Sequence, residues 1–431
     1  MTIFVVSFGL LILFMIGIPI AFAIGITGVI GYIVEMGGRV NMFILPQRMM
    51  YGVNNFLLLA IPLFILAAKL MNTSGITNRI FDFAKSLVGF LPGGLGHANT
   101  IASLIFSGMS GAAVVDAAGL GQIELKAMKD GGYDTEFSVA VTAASATIGP
   151  IFPPSIPMVI FGLVAEVSVG RLFLAGVVPG LIMTVALMLM VAWYAKRKNY
   201  PRSPFPGFSG VAKSFSKAVF PLLTPVILLG GIWTGKFTPT EAAAVAVAYA
   251  IVLGGIIYKE FNLKQLRDVF IETTKETAAI GFIVCAANFY GWLLVRSGIT
   301  IKLAEGIGGI STDPLVILLA INVFLLIVGC FLEPVCAILI LGPVLLPVIL
   351  KLGIDPLHFG VVMVLNLMIG LLTPPFGVVL FVMAGFSGLA FERVVWAVLP
   401  FLVPLLLVLV LITAFPPIVT TLPNLFFAPG Y

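Results

Sequence analysis

The sequence predicts an all-α polytopic membrane protein made of two inverted structural repeats. Three observations carry this. Of 431 residues, 60% are hydrophobic and only 10% are charged, whereas a soluble domain is about a quarter charged. Several runs exceed the roughly 18 apolar residues that mark a membrane-crossing helix. Two of those runs are interrupted alike: Thr147 to Phe161, TIGPIFPPSIPMVIF, and Met368 to Phe381, MIGLLTPPFGVVLF. Proline removes an amide donor and clashes with the preceding turn, so each helix must break there. A broken backbone at membrane depth is tolerated only inside protein or against a water-filled cavity. One broken span per half of a chain points to a transporter's binding site.

In chain order, residues 3–35 are nearly all apolar and would extend about 50 Å as one helix, too long for a single span. Gly17-Ile18-Pro19 divides them. The start, MTIFVVSFGLL, has no basic region or cleavage motif and reads as a first span, not a removed signal peptide. Residues 36–51 read as a loop or surface helix, 53–71 as a span, and 72–92 as a polar arm. Gly93 to Lys126 has about 34 residues with small residues in its middle (Ser107, Gly108, Ser110, Gly111). It reads as a re-entrant hairpin, with a single span ending near Leu120 as the alternative. Residues 124–136 read as a charged loop, 137–165 as the first broken span, and 172–195 as a full span. The stretch 196–217 carries six basic residues with Pro, Gly and Ser, and reads as the midpoint linker. Spans at 218–235 and 240–258 follow, then a charged arm 259–276 and a span 278–295. Residues 313–350 read as a second hairpin, 357–385 as the second broken span, and 394–415 as the last span.

The halves, 1–205 and 206–431, share ordered matches. Ser74-Gly75-Ile76-Thr77 returns as Ser297-Gly298-Ile299-Thr300 at an offset of 223. Gly149, Pro153 and Pro154 return as Gly370, Pro374 and Pro375 at an offset of 221. Five spans per half is odd, so the second half is inverted. With both termini outside, 16 of the 23 basic residues, among them Lys69, Arg79, Lys196, Arg202 and Arg393, fall on the cytoplasmic side, as the positive-inside rule requires.

Hairpin tips and broken spans offer helix N-termini to an anion, and unwound carbonyls and hydroxyls to a small hard cation. The cation candidates are Ser107, Gly108, Thr147, Gly149, Gly329, Glu333, Asn366 and Gly370. The substrate candidates are Ser110, Asp116, Pro153, Pro154, Thr373 and Pro374. Asp116 and Glu333 are carboxylates at membrane depth, a costly placement that points to function. Each also fits a helix cap, Glu333 especially because Pro334 follows it. For Asn54, Asn55 and Asn99, capping is the expected role. Cys285, Cys330 and Cys336 read as buried small hydrophobes, and His97 and His358 are too isolated for a metal cluster. Gly230 to Lys236 matches GxxxxGK, but Phe237 stands where a phosphate-binding loop needs Ser or Thr. No nucleophile–base pair appears, so no enzyme activity and no cofactor are expected. Nor does the net charge of +5 imply nucleic acid; loop cations set orientation instead.

SGAAVVDAAGLG at 110–121, GPIFPPSIPMVIFG at 149–162, FTPTEAAAVAVAYA at 237–250 and LLTPPFGVVLF at 371–381 resemble the large membrane subunit of TRAP transporters, the tripartite ATP-independent periplasmic family. The likeness runs through essentially the whole chain. It implies an inner-membrane, sodium-coupled importer of an organic acid such as a C4-dicarboxylate, sialic acid or another sugar acid, working by an elevator motion. It also implies two partners, a small four-helix membrane subunit and a periplasmic substrate-binding protein. By motif, the Ser107–Asp116 tip and the Thr147–Pro154 break would form one half-site. The Gly329–Glu333 tip and the Gly370–Pro375 break would form the other. Ala112 departs from the Ser common in the family. A standalone cation–proton antiporter, which also uses broken helices and a membrane carboxylate, is the alternative.

Overall fold

A computed structural model describes residues 9–10, 12–13, 16–38, 41–298 and 313–427. Most of the first span, Arg39, Lys302 and the Ile299-Thr300 match lie outside the described residues. Every regular element among the described residues is helical. Seven helices among the described residues are long and apolar enough to cross a membrane.

Helix starts arise from short sequence signals. Asp313, Glu333 and Asp355 each precede a proline, and each carboxylate accepts an amide of the first turn. Proline at the first helical position forfeits only an amide that would lack a partner anyway. Thr238 with Glu241, and Asn262 with Gln265, form reciprocal capping boxes.

One group of helices forms a framework: α1 (Ile20–Glu35), α2 (Ile44–Val53), α3 (Ala60–Thr73, entered through a 3₁₀ turn at Phe56–Leu59), α4 (Ile76–Val88), α11 (Gly207–Trp233), α12 (Pro239–Ile251) and α13 (Leu263–Arg296). Small residues let these helices approach closely. A Cβ on Gly28 would stand 3.1 Å from the Phe289 ring, and one on Gly52 would stand 2.6 Å from Asn288 Cβ, the packing habit of membrane helices. Lys69 on α3 ties to Glu272 and Glu276 on α13, at 3.1 and 2.7 Å.

Against this framework sit α5 (Gly94–Ser110), α6 (Ala113–Ala118) and α7 (Leu120–Asp130). The chain turns at Gly111, whose φ of 64° is the left-handed region that favours glycine. The Leu95 amide donates to the Tyr133 hydroxyl at 3.3 Å, so the two feet meet and the tip lies at 111. This is a hairpin, not a single span. Then come α8 (Thr135–Ala146), α9 (Ile156–Ala165) and α10 (Val169–Lys198). In the second half α14 (Pro314–Gly329) and α15 (Pro334–Lys351) flank a break. Beyond them lie α16 (Pro356–Gly370), α17 (Val378–Ser387), α18 (Phe391–Ala414) and α19 (Pro417–Phe426).

Four boundaries differ from expectation. Residues 259–276 are not a separate arm, because α13 runs unbroken from Leu263 to Arg296 and its charged first turns extend past the apolar layer. The linker is 199–206 rather than 196–217. The Lys196-Arg197-Lys198 run closes α10, where cations oppose the negative end of the helix dipole. Residues 124–130 are helix rather than loop: Leu120, Glu124 and Met128, one turn apart, all face inward. The short α19 lies beyond the last expected span. Among the thiols, Cys336 is buried, but Cys285 and Cys330 are only half-buried.

The Lys69 bridge is testable. A double-mutant cycle of Lys69→Met with Glu276→Gln, read by thermal unfolding in detergent, is expected to show coupling of about 1 kcal/mol. Additive effects would mean the pair contributes nothing.

Candidate functional site

The first break is built from the end of α8. The amides of Thr147, Ile148 and Gly149 reach back three residues, to Ala144, Ser145 and Ala146, a tightening typical of a helix end. Ile151 and Phe152 still donate to the Ile148 carbonyl; Pro153 and Pro154, joined by a cis bond, then stop the ladder. Ser155 restarts it: its hydroxyl accepts the Met158 amide at 3.2 Å and donates to the Pro150 carbonyl. The Ile156 amide donates to the Gly111 carbonyl at the hairpin tip, at 3.2 Å. A Cβ on Gly111 would lie 2.6 Å from the Pro154 carbonyl oxygen. Tip and break therefore touch backbone to backbone.

Asp116 stands on α6 behind that tip and is 2% exposed. Its Oδ1 accepts from the Ser110 hydroxyl, and its Oδ2 has no protein partner. A Cβ on Gly149 would collide with that Oδ2. The glycine of the break is thus the seat of the hairpin's carboxylate. Ser110, Asp116 and Gly149 are neighbours beside the Pro153–Pro154 break.

The second break repeats the arrangement. Leu372 and Thr373 reach back to Ile369 and Gly370, and Pro374–Pro375 is cis. The Phe376 amide donates to the Cys330 carbonyl of the second hairpin at 3.3 Å. Gly329 and Gly370 cross with nothing between them: a Cβ on Gly370 would stand 2.6 Å from the Gly329 Cα. The distal halves then cross over. Val164 of α9 fits Gly342 of α15, with its Cγ1 2.6 Å from where a Cβ would be. Met383 of α17 reaches Gly121 of α7, its sulfur 4.0 Å from the Cβ position there. Each broken helix therefore joins its own hairpin to the hairpin of the other half.

Several candidates find other partners. Gly108 faces Pro225 of α11, with 2.6 Å between the ring Cβ and the position of its missing Cβ. That close approach explains the glycine without an ion. The hydroxyls of Ser107, Thr147 and Thr373 donate to carbonyls of their own helices, Leu104, Ala144 and Ile369, and keep their lone pairs free. Glu333 caps α15: its Oε2 accepts from Val335 and Cys336 at 3.0 and 3.4 Å. Asn366 donates to the carbonyl and side chain of Asn322, at 2.9 and 3.1 Å, leaving its Oδ1 without a partner. Asn55 caps the 3₁₀ turn as expected.

Asn99 is not a cap. It lies inside α5 and is fully buried. It donates to Thr142 at 2.7 Å and accepts from Ser145 at 2.7 Å, while Ser103 donates to Ser145 at 3.0 Å. Sequence reasoning missed this seam between α5 and α8, and its counterpart Asn322–Asn366 between α14 and α16. The signal was available, since Ser145 and Asn366 obey the same offset of 221 as the glycines. It also missed Glu124, which is 1% exposed with its Oε1 unpartnered.

At the foot of the first hairpin, outside the apolar layer, Tyr200 donates to Asp134 Oδ2 at 2.8 Å. Burial and the adjacent carboxylate push the Tyr200 hydroxyl well above its ordinary value, so it stays a donor.

Residues 7–418 match the profile of the Tripartite ATP-independent periplasmic transporter, DctM component. The chain belongs to this family. It is a TRAP large permease and a multi-pass membrane protein. It is 46% identical over 423 residues to the sialic acid TRAP transporter large permease protein SiaM of Vibrio cholerae, covering 98% of this chain and 99% of that one. It is 39% identical over 370 residues to the C4-dicarboxylate TRAP transporter large permease protein DctM of Pseudomonas aeruginosa, covering 86% and 87%. Among solved structures, the Alcanivorax borkumensis YdaH transporter aligns with a TM-score of 0.63 at 15% identity, over 86% of the permease and 87% of that chain. That likeness is one of fold.

The contact between Gly149 and Asp116 makes a prediction. Gly149→Ala is expected to abolish most uptake and to cost about 1–3 kcal/mol in thermal unfolding. Gly281→Ala, where no atom lies within 4 Å of the added carbon, is the control and should change neither. Wild-type uptake by Gly149→Ala would show that Asp116 is free to move away.

Proposed function

We propose that this permease imports an anionic organic acid by secondary transport driven by sodium, across the bacterial inner membrane. The observation that carries the proposal is the seating of Asp116 on Gly149 at the meeting of a hairpin tip with a broken helix, in a chain of the TRAP family. The Asp116 carboxylate, the Ser110 hydroxyl and the unwound carbonyls near Gly149 supply hard oxygen ligands of the type sodium takes. The start of α9 supplies a helix N-terminus for a carboxylate. Gly329, Gly370 and Thr373 supply the second half-site.

The relatives support the substrate class. Their names specify sialic acid, a C4-dicarboxylate, 2,3-diketo-L-gulonate and isethionate, all organic anions and three of them carboxylates. We infer that the small membrane subunit and a periplasmic binding protein complete the system, as the family description implies. Family membership does not favour a standalone cation–proton antiporter.

The proposed motion is an elevator in which the two hairpins and broken helices slide against the framework. The proposed architecture is two inverted repeats with both termini outside. Helix starts at Gly94, Thr135, Ile156 and Val169 recur at Pro314, Pro356, Val378 and Phe391, within 220 to 222 residues, which supports the repeat.

Proteoliposomes holding both membrane subunits, supplied with binding protein and radiolabelled acid, test this. Uptake is expected only with an inward sodium gradient, and Asp116→Asn should lower it at least tenfold. Equal uptake with sodium on both sides and a proton gradient alone would reject sodium coupling.

A further inference from the structure

A crevice of about 860 Å³ runs along α10 toward its basic end. One wall is Val185, Leu189 and Ala192, and the other is Leu91 and Pro92 at the foot of the first hairpin. Val185 and Leu189 are 57% and 67% exposed, so this wall faces hydrocarbon. Lys196 and Arg202 stand at the mouth.

Those two cations differ from their neighbours. Lys198 pairs with Asp134 at 3.4 Å, and Arg197 lies 4.1 Å over the Trp193 ring. Among the described residues, neither Lys196 nor Arg202 makes an ion pair, and both are exposed. The unpaired positive charge of this segment is therefore gathered where the apolar crevice opens. A second groove of about 650 Å³ lies on the other side of Leu189, between α10 and α18, and no charged residue lines it. Both grooves have room for hydrocarbon, and only the first ends in charge.

We propose that the crevice between α10 and the hairpin foot holds a phospholipid with an anionic headgroup. Its phosphate sits between Lys196 and Arg202, and an acyl chain lies along Val185, Leu189 and Ala192. Basic pockets at the membrane surface recognise such headgroups, at about 1 kcal/mol per Lys or Arg. The chain adds apolar burial. The site is independent of what the permease carries.

The lipid would also bear on the hairpin. Residues 199–203 strap its foot: the Tyr133 hydroxyl donates to the Pro201 carbonyl at 2.8 Å, and the Ser203 amide to the Gly89 carbonyl at 2.9 Å. With Tyr200 on Asp134, the strap that carries Arg202 is tied to the hairpin foot at two points and to Gly89, at the end of α4, at a third. A headgroup bridging Arg202 and Lys196 would fix that strap against α10.

Native mass spectrometry of the full chain, released from nanodiscs of mixed phosphatidylglycerol and phosphatidylethanolamine, tests the site. Wild-type protein is expected to retain phosphatidylglycerol preferentially. Lys196→Gln and Arg202→Gln should each lower that preference roughly fivefold, the factor corresponding to about 1 kcal/mol. Lys213→Gln/Lys217→Gln, on the neighbouring helix outside the crevice, should leave it unchanged. Ala192→Trp, which fills the crevice with both cations intact, should also lose it. An unchanged lipid ratio in the Lys196→Gln/Arg202→Gln protein overturns the proposal, as does full retention by Ala192→Trp. Displacement of the lipid by soluble glycerol phosphate at millimolar concentration overturns it too, because the occupant would then be a free phosphate. A melting temperature equal to wild type confirms that each variant is folded.

Discussion

A backbone broken inside a membrane must have its freed amides and carbonyls answered by protein, because hydrocarbon answers neither. One hydrogen bond between tip and break helps meet that demand in each half. Ile156, just past the first set of prolines, donates to Gly111, and Phe376, just past the second, donates to Cys330. Each hairpin tip is thus the missing partner of its broken helix. The tip and the break are hydrogen-bonded to each other in both halves.

The glycines enforce this arrangement at three points. Gly111 lets the tip turn and press on Pro154. Gly329 and Gly370 let two backbones cross without a side chain between them. Gly149 makes room for the Asp116 carboxylate. That last contact leaves one carboxylate oxygen without a protein partner, at a depth where such a group is costly. The proposed cation would meet that acceptor next to unwound backbone.

Polar seams hold the same elements together further along. Asn99, Ser103, Thr142 and Ser145 bind α5 to α8, and Asn322 with Asn366 bind α14 to α16. They lie one turn and more from the breaks and fix the angle at which each hairpin meets its broken helix. The crossing of α9 onto α15 and of α17 onto α7 then joins the halves.

The sequence by itself determined the features that local chemistry dictates. Apolar length identified the spans, and proline identified both breaks. Proline after an acid marked the starts of α14, α15 and α16. The family resemblance grouped Ser110, Asp116 and Gly149, and the structure has them as neighbours. Only the tertiary structure decided the roles that depend on a partner far along the chain. Gly108 became a seat for Pro225, and Asn99 a core hydrogen-bonding group instead of a cap. Glu124, assigned to a loop by its charge, proved buried because Leu120 and Met128 share its helical face. Charge also misplaced the linker and the first turns of α13, since a helix can leave the bilayer without ending. Composition reports which solvent a residue meets, while the ladder of backbone hydrogen bonds decides where a helix stops.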